Sequence, residues 1–353
     1  MRVFHLEEPR FLQRDSIYGS AKIPGQSGYM QSENGPVYIT INSHGFRGPE
    51  RSYEKPHNIY RIVIIGDSYI EAFSTPYNQT IAQVLEKNLR KEGFLVEVIN
   101  LGTSNFGTAQ ELLLLEKEGL RYHPDLVVLT FVHNDVANNH PKLHGDTDRP
   151  YFSLEPDGNL NQLPYNPKHR SRGAIRDFFR QKVRIYTFFP KRIRELKNRI
   201  RHKTSAGRKE TIYRAYLHYV TPLDSIWGDA WVLTRALLRE FRRKTEKANA
   251  AFILMEISDP PMVYAEDWEK MLASYPELHS AGTRLDIIQP HKLLKAFAEE
   301  ERITFLSLLP AFQRAAQQGV KLFGVVDRHW NAEGNRVGAE ALMSVVRPLI
   351  KRD

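Results

Sequence analysis

Three short polar clusters hold residue types capable of covalent chemistry: Gly66-Asp67-Ser68, His133-Asn134-Asp135 and Asp327-Arg328-His329. A serine hydroxyl attacks an acyl carbon only if it is exposed, has a base within reach and has N–H groups nearby for the developing oxyanion. Ser68 follows a β-branched run after one glycine and one aspartate. A tight strand-to-helix turn there would expose it, with Gly66 lending the turn its freedom. Asp67 or Ser68 equally suits a helix N-cap. His329 is the candidate base. Asp327, two residues earlier, can share its side of an extended segment and hold the imidazole tautomer, a task a backbone carbonyl can share. A solvated loop histidine beside the helix that starts at Asn331 is the alternative for His329. For the oxyanion, the candidates are the Asn134 side-chain amide, the backbone N–H of Ser68 and a backbone N–H from the loop Asn100–Gly107. Asn134 and Asp135 would also serve as a polar helix cap.

The elements that must position these groups follow from the apolar pattern. Ile62-Val63-Ile64-Ile65 is a continuous β-branched run ending at Gly66, as expected of a strand buried on both faces. A helix at about 77–92 follows, with Ile81, Val84, Leu85 and Leu89 on one face. Next come a strand at 95–99, a helix at about 108–120 and a strand at 126–131. After a break, a helix at about 229–247, a strand at 251–257, a helix at about 286–300, a strand at about 303–307 and a helix from Asn331 complete the alternation. Strands alternating with helices predict βαβ units and a parallel sheet. In such sheets function sits at the carboxyl ends of strands, where the three clusters fall or to which late loops return.

The remainder divides into residues 1–58, polar and irregular with one strand-like run at Val37–Ile41, and residues 141–228. The latter reads as a basic, mostly helical insertion between 59–140 and 229–353. From Lys168 to Arg214 there are 17 Lys/Arg against three Asp/Glu, a local balance of +14. With a net charge of +9 overall, the rest of the chain carries −5, so the basicity belongs to one segment. Its interleaved basic and apolar residues suit either a helix packed on the domain or contact with an anionic membrane surface or acidic polymer. No nucleic-acid recognition motif accompanies it. There is no cysteine, which excludes disulfides and thiol nucleophiles and is compatible with a cytoplasmic or an exported bacterial protein. The first residues lack the apolar core of a secretory signal.

In order and spacing, the three clusters resemble the sequence blocks of the SGNH/GDSL hydrolase superfamily. Gly66-Asp67-Ser68 is similar to its first block and Val132-His133-Asn134-Asp135 to its third. Asp327-Arg328-His329-Trp330-Asn331 is similar to the last block of the branch containing alginate-type O-acetyltransferases and acetylesterases. The resemblance covers roughly 36–142 and 229–350. It implies a three-layer, flavodoxin-like α/β fold and a triad of Ser68, His329 and Asp327. It also implies oxyanion donors at Ser68, Asn134 and Asn105, supported by Asp67, Gly102 and Trp330. Val132 stands where that family's third block has glycine, and Asn105 where its second does. The implied activity is serine-dependent hydrolysis or transfer of O-acyl, above all O-acetyl, groups of a small-molecule or carbohydrate ester, without cofactor or metal. Two other classes remain open at this point. One is a catalytically weak binding or assembly protein of a polysaccharide or cell-envelope pathway. The other is a metal-dependent phosphoesterase using Asp67, His133, Asp135, Asp327 and His329. Trp227, Trp231 and Trp330 could stack on sugar rings or fill the core.

Overall fold

The computed structural model describes residues 9–145, 148–165, 217–279 and 284–350. Four strands precede the main sheet: β1 (Leu12–Asp15) pairs with β2 (Gly19–Lys22), and β3 (Ser27–Ser32) with β4 (Gly35–Thr40), as two antiparallel hairpins. Only the last was foreshadowed by the Val37–Ile41 run. Val37, Ile39 and Ile41 alternate inward and bury themselves with Phe11, Met30 and Phe73.

The sheet proper holds β5 (Tyr60–Ile65), β6 (Val96–Asn100) and β7 (Leu126–Val132), then, after the short pairs β8 (Phe152–Leu154)–β9 (Leu160–Gln162) and β10 (Val220–Thr221)–β12 (Arg284–Leu285), β11 (Ala251–Ile257) and β13 (Thr304–Ser307). Its strands lie in the order β13-β11-β7-β5-β6, all parallel. Counted within the sheet, this is the doubly wound order 2-1-3-4-5, whose reversal falls between β5 and β7. All seven residues of β7 are buried, as are Arg61 to Ile65 of β5, because helices cover both faces. On one face, Val63, Ile65, Val127 and Leu129 pack with the helices Thr108–Lys117, Ser225–Lys247 and Gln289–Glu300. On the other, Ile62, Ile64 and Val128 pack with Ile81–Lys91, Leu309–Gln317 and Ala332–Val346.

The expected helices and strands of the α/β part are present with ends shifted by a few residues. The helices Pro260–Val263, Ala265–Ser274 and Leu309–Gln317 were not anticipated. The helical part of the insertion expected after Gly173 and the whole basic stretch from Lys168 to Arg214 fall in 166–216, outside the described residues. No helix among the described residues is long and apolar enough to cross a membrane.

Candidate active site

Ser68 opens a single helical turn, Ser68–Glu71, directly beyond β5. Asp67 caps this turn, its carboxylate accepting from the Tyr69 N–H at 2.9 Å. Burial pushes the Asp67 carboxyl up to about 6. The capping alternative for Asp67 therefore holds, and it leaves Ser68 free to point outward. The turn stops after four residues because Ala72 turns left-handed (φ 51°) and a buried cation collects its carbonyls. Arg47 donates to Glu71 O at 3.0 Å, to Thr75 O at 2.6 Å and to Ala72 O. Gly66 is needed for a different reason from the one expected. Its φ is not positive, but a Cβ there would fall on the Thr130 hydroxyl of β7.

The loop after β6 is fastened to the same turn. Asn100 donates to Ile70 O at 2.7 Å and accepts from Gly102 N at 2.8 Å. Gly102 sits so close that a Cβ would overlap the backbone of Ile70 and Glu71. From β2, Lys22 reaches in, fully buried, to donate to Gly102 O at 2.6 Å and Thr103 Oγ at 2.8 Å, with Glu71 Oε1 at 3.5 Å. Burial lowers the Lys22 ammonium's pKa, and Glu71 opposes the shift. Neither Lys22 nor Arg47 was singled out in the sequence.

His329 meets this turn across 261 residues of chain: its Nε2 lies 2.7 Å from Ser68 Oγ. The group facing Nδ1 is the backbone carbonyl of Asp327, at 3.1 Å. The Asp327 carboxylate instead accepts from the His329 backbone N–H at 3.1 Å. The imidazole is thus poised by main chain where a carboxylate was expected. With a proton on Nδ1 donated to that carbonyl, Nε2 is the lone pair that accepts from Ser68.

The loop carrying His329 is held from outside. Glu33, at the tip of the β3–β4 hairpin, accepts from Val325 N at 2.9 Å and Val326 N at 2.6 Å, one with each carboxylate oxygen. Arg328 pairs with Asp267 at 2.7 Å. Because Glu33 carries two of the loop's four backbone amides from Val325 to Arg328, Glu33→Ala is expected to lower kcat about 10-fold while leaving the melting temperature nearly unchanged. Steady-state rates beside a thermal melt check this. A variant with wild-type kcat would show that the loop holds its place unaided.

Asn134 starts the helix Asn134–Asn139 and is exposed. Asn105 takes the left-handed conformation (φ 65°) that asparagine tolerates, also exposed. Neither Ser68 N–H nor Asn105 N–H has an acceptor among the described residues, whereas Gly102 N–H is spent on Asn100. Trp330, Trp227 and Trp231 are all buried, so none offers a sugar a face. Asn331 caps the last helix, accepting from Glu333 N and Gly334 N. Asp135 is fully buried, accepting from Val132 N at 2.9 Å, and burial raises its carboxyl well above the usual range. The five residues weighed as a binuclear metal set do not gather as metal ligands.

No family model matches the chain, and no curated protein sequence does. Among solved structures, the chain is similar to TesA at 15% identity, covering 82% of this chain and 99% of TesA with a TM-score of 0.43. It is similar to the acetyl xylan esterase AlAXEase at 16% identity, covering 81% and 99% with a TM-score of 0.44. It is also similar to a catalytic mutant of an acetylxylan esterase from Geobacillus stearothermophilus, at 14% identity, covering 83% and 97% with a TM-score of 0.43. The likeness is one of overall fold.

Proposed function

We propose that this chain is a serine esterase or acyltransferase of SGNH type, acting on O-acetyl groups of a carbohydrate. One observation carries the reading: a partly exposed serine hydroxyl 2.7 Å from an imidazole nitrogen, at the carboxyl edge of a doubly wound sheet. Ser68 Oγ attacks the ester carbonyl as its proton passes to His329 Nε2. The imidazolium keeps its Nδ1–H on Asp327 O. The oxyanion is received by the N–H groups of Ser68 and Asn105 and the side chain of Asn134. Collapse expels the alcohol, which takes the proton back from His329 and leaves an acetyl ester on Ser68. Water, or a sugar hydroxyl in a transferase, then gives up a proton to His329 and releases the enzyme. The carbohydrate assignment rests on the Asp-x-His-Trp-Asn form of the last block.

Acetyl release from acetylated glycans and p-nitrophenyl acetate, with wild type beside Ser68→Ala and His329→Ala, tests the proposal. Activity in wild type alone supports it. No release by wild type on any acetylated substrate, and no labelling by a fluorophosphonate, would favour the non-catalytic binding reading. The exposed Asn134 and the Asp327 carboxylate turned from Nδ1 favour that second reading.

The backbone contact at Nδ1 also makes a prediction that separates this site from a carboxylate-oriented triad. Asp327→Asn is expected to cost less than about 10-fold in kcat, whereas removing the charge of a buried orienting carboxylate costs about 10⁴-fold. A loss near the larger figure would mean that the carboxylate swings onto Nδ1 during turnover.

A further inference from the structure

Next to the serine turn, the ends of β7 and β11 and the short helical turn Leu217–Tyr219 bring three ligand-type side chains together. They are His133, His218 and Asp259, whose ligand atoms all lie within 4.8 Å of one another. We infer that these residues form a binding site for one divalent transition-metal ion of the zinc class.

Three features support this. First, His133 is fully buried, and its two nitrogens are treated differently. Nε2 lies 2.9 Å from Glu256 Oε1, while Nδ1 has no hydrogen-bond partner among the described residues and faces Asp259 Oδ2 at 3.6 Å. That separation is too long for a hydrogen bond. It is close to the distance between neighbouring ligands on a tetrahedral ion with bonds of about 2.0–2.1 Å, roughly 3.4 Å. A buried imidazole nitrogen left without a bond is costly unless something occupies the gap.

Second, the outer layer needed by a metal-binding histidine is already in place. Metal-ligating imidazoles characteristically give their other N–H to a carboxylate, which fixes the tautomer and the ring. Glu256 does this for His133. It is itself held by His291 Nδ1 at 2.6 Å and Ser307 Oγ at 2.6 Å. Asp259 is steadied by the Tyr219 hydroxyl, which donates to Oδ2 at 3.1 Å.

Third, the donor set is selective and reachable. Two imidazoles and one carboxylate suit zinc-class ions, while magnesium and calcium require mostly oxygen. The Asp259 side chain is 23% exposed, leaving a route in, and three protein ligands leave a fourth position for water or another oxygen donor.

The inference is independent of the esterase reading. Full-length protein stripped of metal with a chelator is titrated with Zn²⁺ by calorimetry, and with Co²⁺ while the visible spectrum is followed. One Zn²⁺ per chain with a Kd below about 1 μM, and the intense visible bands of tetrahedral Co²⁺, are expected. Asp259→Asn and His218→Ala should each weaken Zn²⁺ binding at least 100-fold. Ser68→Ala, outside the cluster, should bind as wild type does, which separates this result from any failure of the ester chemistry. A melting curve confirms that each variant is folded, and Zn²⁺ should raise the melting temperature of wild type. No binding by wild type, or unchanged binding by a folded Asp259→Asn variant, overturns the assignment.

Discussion

Ser68→Ala is expected to lower kcat/KM on p-nitrophenyl acetate by about 10⁴-fold or more, and to abolish labelling by a fluorophosphonate. His329→Ala should do nearly the same. The reason lies in the single 2.7 Å contact between them. Without the imidazole, the hydroxyl at pH 7 is a poor nucleophile, and without the hydroxyl, the imidazole has nothing to activate. Groups that act as a unit are non-additive, so the double variant should be no slower than the worse single one. Rates of all four proteins on one substrate make the check. Multiplying losses would mean that the two residues serve separate steps and that their contact is incidental.

The second large effect concerns a residue with no side chain. Gly102→Ala should destabilise the fold by about 2–4 kcal/mol, enough to lower the melting temperature by roughly 3–5 °C in a chain of this size. It should also remove most of the activity that survives. The new methyl group would collide with the backbone of Ile70 and Glu71 rather than with a flexible side-chain tip, so the turn bearing Ser68 has to move. Moving that turn breaks the Asn100–Ile70 bond and shifts Ser68 relative to His329. Calorimetric melting and kcat, measured together, read both halves of the prediction. Unaltered stability with unaltered rate would show that the loop after β6 yields without consequence.

Residues whose meaning is local were legible in the sequence. The β-branched run before Gly66 announces a buried strand because helices on both faces demand apolar residues on both. The helix faces announce themselves by periodicity, and Asn331 by its place before an apolar run. Ser68 was visible as a residue type after a buried strand and His329 in the loop before the last helix; in the structure Ser68 Oγ and His329 Nε2 lie 2.7 Å apart. Three kinds of feature were hidden. Lys22, Arg47 and Glu33 look like ordinary surface charges in a polar stretch, and their partners lie 80, 24 and 292 residues away. A two-residue spacing between Asp327 and His329 is equally consistent with a carboxylate or a carbonyl behind the imidazole; only the backbone path, with Arg328 at φ 65°, decides. The His133, His218 and Asp259 cluster joins three distant segments, and no single window of sequence contains it. Helices such as Leu309–Gln317, with Leu308 at the N-cap and no side-chain capping bond there, carry weak start signals in the sequence.

The clamp from Glu33 to Val326 spans 293 residues, and the serine–histidine contact spans 261. During synthesis the strands β5, β6 and β7 can pair while the ribosome is still translating the second half of the chain. The turn bearing Ser68, already fastened by Arg47 and Lys22, would then be waiting without His329. On the proposed reading, hydrolytic competence would arise only after codon 329 has been translated and the following helix has emerged to anchor the loop. A nascent or prematurely terminated chain would therefore be chemically silent, however well its first half had folded.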